Sequence, residues 1–309
     1  MKHVQFFGEF LANHVNLNQT RLDKLDEHVK AVTEYLANNL TGYRRVERQG
    51  SYALGTIIKP VRDGQEYDAD LLLLVESEPK KGASDYIEDV YACLREHKYY
   101  RTIARRKTRC VVLDYAGDVH LDIVPCISFN GTQYICNRNT GDFEPTDGTG
   151  YGDWFNDRNR ETGGNLKRVT RLLKYMRDHK GNFTAPSVLL TTLIGNTVDG
   201  TGEFGSVPDA LHTVMSRIDS FLEAHLWMPA IANPALPSED FTRKWDQRKY
   251  AHFRDMFHTY TLKVDDAYAE QDHNESVKKW RAVFGDDFGE LRAATVTARE
   301  VRPQRPWAR

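Results

Sequence analysis

The chain lacks any apolar run approaching the roughly 20 residues that cross a bilayer, so no membrane-spanning helix is expected. It has only four cysteines, Cys93, Cys110, Cys126 and Cys136, and none stands in a C-x-x-C pair. That excludes the usual spacing of a structural zinc site. An excess of either charge is also missing: 42 Lys and Arg face 44 Asp and Glu, a formal net charge of −2. The electrostatic footprint of a protein that grips a long nucleic acid is therefore absent. Residues 1–15 have neither the basic start nor the apolar stretch of a secretory leader, and a cytoplasmic setting is expected. No internal repeat is visible. What remains is an ordinary globular composition, 40% hydrophobic and 28% charged over 309 residues. That is enough chain for one large domain or two modest ones.

Apolar residues at Leu22, Leu25, Val29, Val32, Tyr35 and Leu36 have helical spacing, with Gly42 as the stop. The small-residue turn Gly50 to Thr56 follows, then Tyr67 to Val75, whose run of leucines reads as a buried strand. Ser84 to His97 reads as a helix. Thr108 to Tyr115 and Val119 to Ile127 alternate as strands and form a hairpin across residues 116–118. Residues 137–164 are rich in Gly, Asn, Asp and Thr and read as a loop, the expected boundary between halves. Beyond it the pattern is helical, with Leu166, Val169, Leu172, Leu173 and Met176 on one face and helix starts at Pro186 and Pro208. Further helices are expected from Glu239 and from Asn274. The expectation is an α+β half over 1–160, an all-α half over 161–298, and a disordered tail over 299–309.

The informative stretch is Gly50-Ser51-Tyr52-Ala53-Leu54-Gly55-Thr56, followed by Asp68-Ala69-Asp70. Side chains two apart on a strand share a face, so Asp68 and Asp70 project together from an otherwise apolar strand. Asp122 likewise interrupts Val119-His120-Leu121-Asp122-Ile123-Val124. Like charges repel unless a cation sits between them. Mg²⁺ prefers carboxylates combined with substrate phosphates, and Mn²⁺ is the alternative ion. Three strand carboxylates suit two ions flanking an in-line displacement, with Asp122 also able to accept a proton. Each piece has a plain structural reading: paired strand aspartates usually lie on a solvated face, and Gly-Ser turns are common. The combination, with apolar flanks throughout, favours chemistry.

Phosphate-binding parts accompany it. Gly50 and Ser51 offer close backbone approach and a hydroxyl. In the helix over 165–179, Lys167, Arg171 and Lys174 gather opposite the apolar face, a pattern that is more often a solvated basic surface. Ser187 follows Lys174 by 13 residues at a helix N-terminus, a natural anion site. Lys174 and Ser187 would then face Ser51 across a triphosphate.

With these residues in place, the chain resembles the polymerase-β-like nucleotidyltransferases. More narrowly it is similar to the bacterial cyclic GMP-AMP synthase/DncV-like enzymes of antiphage (CBASS) systems. Leu172 to Arg177 with Ser187, Asn233-Pro234 through Thr242, and Trp280 through Phe288 extend the likeness over nearly the whole chain. The resemblance implies two lobes with the active site in the cleft. It implies that ATP, alone or with a second nucleoside triphosphate, becomes a cyclic di- or trinucleotide second messenger that reaches a downstream effector. It carries metal binding to Asp68, Asp70 and Asp122, phosphate binding to Ser51, and triphosphate binding to Lys174 and Ser187. Some relatives are joined to partner proteins through the C-terminus. Where some also place an aromatic after the phosphate-binding serine, this chain has Val188, which leaves Tyr52 to stack on a base or to pack. The competing readings are transfer to RNA ends or to a protein, and an inactive nucleotide-binding module.

Overall fold

The computed structural model describes residues 1–293 except Asp63, Gly117, Asp118 and Lys244. The expected tail over 299–309 lies outside the described residues, as does the middle of the turn at 116–118.

In chain order the elements are α1 (Val4–Phe10), a π-helical turn (Leu11–Val15), α2 (Gln19–Asn39), β1 (Tyr43–Gln49), α3 (Gly50–Leu54) and β2 (Tyr67–Val75). Next come α4 (Ala83–Glu96), α5 (Tyr100–Ile103), β3 (Ala104–Arg106), β4 (Val111–Tyr115), β5 (Val119–Phe129), β6 (Thr132–Cys136) and β7 (Phe143–Thr146). The remainder is α6 (Gly148–Glu161), α7 (Asn165–Lys180), α8 (Ser187–Asn196), α9 (Val207–Ala224), β8 (Ala232–Asn233), β9 (Leu236–Asp240), α10 (Gln247–Ala269) and α11 (His273–Phe284). No helix among the described residues is long and apolar enough to cross a membrane.

The main sheet runs β1-β2-β5-β4-β3, with β6 and β7 continuing from β5. β2 and β5 pair in parallel, while β1 with β2 and β4 with β5 are antiparallel. The parallel pair is central, which is why β2 is buried without interruption from Leu71 to Val75. Its underside packs on α2 and α4 through Leu25, Val32, Leu36, Ile87, Val90, Leu121 and Ile123. A second, larger apolar cluster joins α6 to α11 through residues such as Leu173, Leu190, Val214, Phe257 and Trp280. The N-terminal segment, which periodicity left unassigned, belongs to that second cluster: the Phe7 ring stands edge-on to Trp280 at 4.9 Å. The architecture is a mixed-sheet α+β core with a predominantly α-helical second part.

Two local expectations are corrected. Residues 137–164 are no loop: they hold β7 and the 14-residue α6. Asp147 caps α6 by accepting from the Gly150 amide at 2.7 Å, and Tyr151 and Phe155 bury its inner face. Tertiary packing and a cap outweigh the high glycine content here. The segment expected as helix from Glu239 instead completes the β8–β9 hairpin, and α10 starts at Gln247, capped by Asp246.

Candidate active site

Register does the assembling. Across the parallel β2–β5 pair, Asp70 stands opposite Asp122 and Asp68 opposite His120. Parallel neighbours lie about 4.8 Å apart, so all three carboxylates share one face at the top of the sheet. The intervening Ala69, Leu121 and Ile123 point down and are fully buried. The alternation that keeps the core dry is therefore what groups the acids.

The three differ in environment. Burial, then the charges of Asp122 and Asp68, push Asp70 up to about 6. Asp68 opens to solvent at the rim, yet the surrounding protein and Asp122 also hold its carboxyl above the ordinary range. Asp122 is about 20% exposed and meets the Lys107 ammonium at 3.4 Å. Beside it lies Cys110, whose thiol is pushed up by burial and by the Asp122 charge. Beyond Asp68 runs a polar row in which His120 bonds Glu66 and Asp114, and Arg105 pairs with Asp114.

Gly50 begins α3 directly against Asp70. Its φ of +57° is left-handed, and a Cβ there would overlap Asp70 Oδ2 and sit 3.4 Å from Cγ. Only glycine meets both demands. Ser51 follows, half-buried at the start of α3.

Two of the α7 cations, Lys174 and Arg171, turn inward. Lys174 is 6% exposed and donates to the Thr56 carbonyl at 3.0 Å, while Arg171 donates to the Gly55 carbonyl at 3.3 Å. α7 thus clasps the end of the Gly50–Thr56 turn. Burial, then the neighbouring Arg177, pulls Lys174 down to about 8, and Asp70 and Asp68 oppose that shift. Ser187, exposed at the start of α8, is reached not by Lys174 but by Arg177, whose Nη1 donates to Ser187 Oγ at 3.1 Å and to the Ala185 carbonyl at 2.8 Å.

Tyr52 packs into the protein. It is 7% exposed, its hydroxyl bonds Asp26, and the Arg48 guanidinium covers its ring at 4.4 Å. Its apolar body belongs to the core under α3. The sequence reading missed Arg177 and Lys107. Arg177 follows Lys174 by three residues and so shares its helix face, a usable signal. Lys107 sits in a basic run whose relation to Asp122 exists only through strand pairing.

The residues present suit a divalent cation. Three carboxylates of which two are raised by burial and mutual repulsion, with one exposed lysine as the direct counter-charge, form a hard oxygen donor set.

A model of the Second Messenger Oligonucleotide or Dinucleotide Synthetase family matches residues 1–159. A c-di-GMP synthase of Roseivirga ehrenbergii is 26% identical, covering 93% of this chain and 86% of that protein. Among solved structures, CdnC of E. coli MS115-1 with ATP aligns with a TM-score of 0.74 at 20% identity over 93% of this chain and 99% of that one. The Bradyrhizobium diazoefficiens CdnG complex with GTP aligns with a TM-score of 0.73 at 20% identity, over 91% and 95%. The family match spans more than half of the sequence, and the chain belongs to this family of nucleotidyltransferases.

Proposed function

We propose that this member of the synthetase family condenses purine nucleoside triphosphates into a cyclic dinucleotide signal, releasing pyrophosphate at each step. The observation that carries the reading is the register of β2 against β5, which sets Asp70 beside Asp122 with Asp68 one pleat along. The c-di-GMP name of the relative matched over 93% of the chain supports GTP as a substrate next to the expected ATP. An antiphage role is part of the proposal and rests on the likeness to the DncV-like enzymes of CBASS systems.

Asp68, Asp70 and Asp122 would hold two Mg²⁺ or Mn²⁺ ions. Such ions neutralise the triphosphate and make a ribose hydroxyl acidic enough to attack the α-phosphate in line. The chain's own groups do the rest. Asp122, on β5 opposite Asp70, would accept the hydroxyl proton. Gly50 and Ser51 present a backbone surface and a hydroxyl to phosphate oxygens. Lys174 holds the turn that carries Ser51 and places a buried positive charge behind Asp70. Arg177 orients Ser187 and adds charge where the pyrophosphate departs.

The test is incubation with the four triphosphates and Mg²⁺ or Mn²⁺, with products identified by mass spectrometry. A phosphatase-resistant cyclic dinucleotide is expected, and Asp68→Asn combined with Asp70→Asn should abolish it while leaving circular dichroism unchanged. Product from that double variant would remove the carboxylates from the mechanism. Labelled RNA or protein, with no cyclic species, would replace the reading by polymer or protein modification.

A further inference from the structure

The sheet order β1-β2-β5-β4-β3 gives the carboxylate cluster two sides. On the β1 and β2 side stand the Gly50–Ser51 turn and Lys174, which holds the end of that turn. On the other side are β3 and the β3–β4 connection, which together carry Arg105-Arg106-Lys107-Thr108-Arg109. The three arginines of that run are already neutralised. Arg105 pairs with Asp114, Arg106 with Glu88, and Arg109 grips Glu144 through two bonds of 2.6 and 2.8 Å.

Lys107 is different. Among the described residues its one side-chain partner is Asp122, at 3.4 Å, and its own side chain is 58% exposed. Its backbone, by contrast, is held firmly. The Lys107 amide donates to the Cys110 carbonyl at 2.8 Å, and the Arg138 amide donates to the Thr108 carbonyl at 2.9 Å. A fixed turn therefore presents a solvent-exposed ammonium at the edge of the site. A long, single, solvent-exposed contact of this kind is weak and readily exchanged.

In-line displacement requires the attacking hydroxyl to lie opposite the departing pyrophosphate. If the donor triphosphate lies along Ser51 and Ser187, the acceptor enters from the β4–β3 side, and in the first transfer the acceptor is itself a triphosphate. We propose that Lys107 is the group that binds the 5′-phosphates of the acceptor nucleotide. In the nucleotide-free enzyme it is the counter-ion of Asp122, and it surrenders that carboxylate when the site is loaded. This rests on the reading of Asp122 as a metal ligand. An ammonium and a divalent ion on one carboxylate repel each other, and the flexible lysine stem is the part free to move. Released, the ammonium keeps its full charge within reach of an acceptor phosphate, where charge-assisted hydrogen bonds are strong.

The experiment uses the full chain with Lys107→Met and Lys107→Arg. Manganese binding to the nucleotide-free protein is read by electron paramagnetic resonance. Lys107→Met, having lost the competing cation, should bind Mn²⁺ several-fold more tightly. In a second measurement guanosine competes with GTP as acceptor in the first transfer. The wild-type preference for the phosphorylated acceptor should fall about tenfold in Lys107→Met, the loss of one charge-assisted contact, and should return in Lys107→Arg. A merely structural lysine would leave that preference unchanged. Unaltered Mn²⁺ affinity overturns the counter-ion role, and an unaltered acceptor preference overturns the phosphate contact. Asp122→Asn separates the two levels. If it leaves Mn²⁺ binding intact, the metal assignment fails. If it weakens Mn²⁺ binding while Lys107→Met changes neither readout, only the present proposal fails.

Discussion

Asp70 is the residue on which the electrostatics of the cleft converge. Its carboxyl is pushed up to about 6 by burial and by two neighbouring acids, against an ordinary value of 3.8. A carboxyl raised in the folded state favours folding when protonated, and that favour is lost as pH rises from 3.8 through 6. Above pH 6, in the absence of a bound cation, the ionised group costs on the order of 2–3 kcal/mol. Asp70→Asn should therefore stabilise the metal-free protein by about that amount at pH 8 and by clearly less at pH 5. Urea unfolding at the two pH values measures it. Addition of Mn²⁺ should reverse the order, stabilising the wild type and not the variant. Equal effects at both pH values would mean that Asp70 is not strained by its charge.

Among the elements, the five-residue α3 and its turn are held from two directions. Asp70 crowds Gly50 at one end, and Lys174 and Arg171 clasp the carbonyls of Thr56 and Gly55 at the other. Gly50→Ala adds a methyl group where no space exists at a left-handed φ. A loss of about 1–3 kcal/mol in stability is expected, and turnover should fall because Asp70 must move. Thermal melting and product formation together check this. Lys174→Ala frees the turn and leaves the Thr56 carbonyl without its donor. Nucleotide KM should rise roughly tenfold or more, the worth of a charged hydrogen bond, with a smaller change in kcat. A dominant loss of kcat at saturating nucleotide would show that Lys174 acts on the reacting phosphate rather than on the turn.

At the scale of the whole molecule, the chain's first helix packs among its last. Phe7 is fully buried among Trp280, Phe284 and Phe288. Phe7→Ala should cost about 3–5 kcal/mol. It should lower the melting temperature while leaving the site residues in place, so nucleotide KM near wild type at low temperature is the accompanying check. A wild-type melting temperature would mean that this packing is dispensable.

Local patterns carried much of this molecule. The period-2 alternation around Asp68, Asp70 and Asp122 and the period-3.6 stripe of α2 and α7 are written in short stretches of chain, because strand and helix geometry act between near neighbours. Those stretches determined the α+β core, the candidate acids and the Gly-Ser turn. Where a segment's state depends on distant partners, composition misled. α6 looks like a loop until Tyr151 and Phe155 find the helical cluster, and Tyr52 looks available until Arg48 and Asp26 cover it. The register that sets Asp70 beside Asp122, the clasp of α7 on the Gly50–Thr56 turn, and the contact of Lys107 with Asp122 join residues 15 to 118 positions apart. Such contacts are chosen by packing of the completed sheet, so only the tertiary structure decided them.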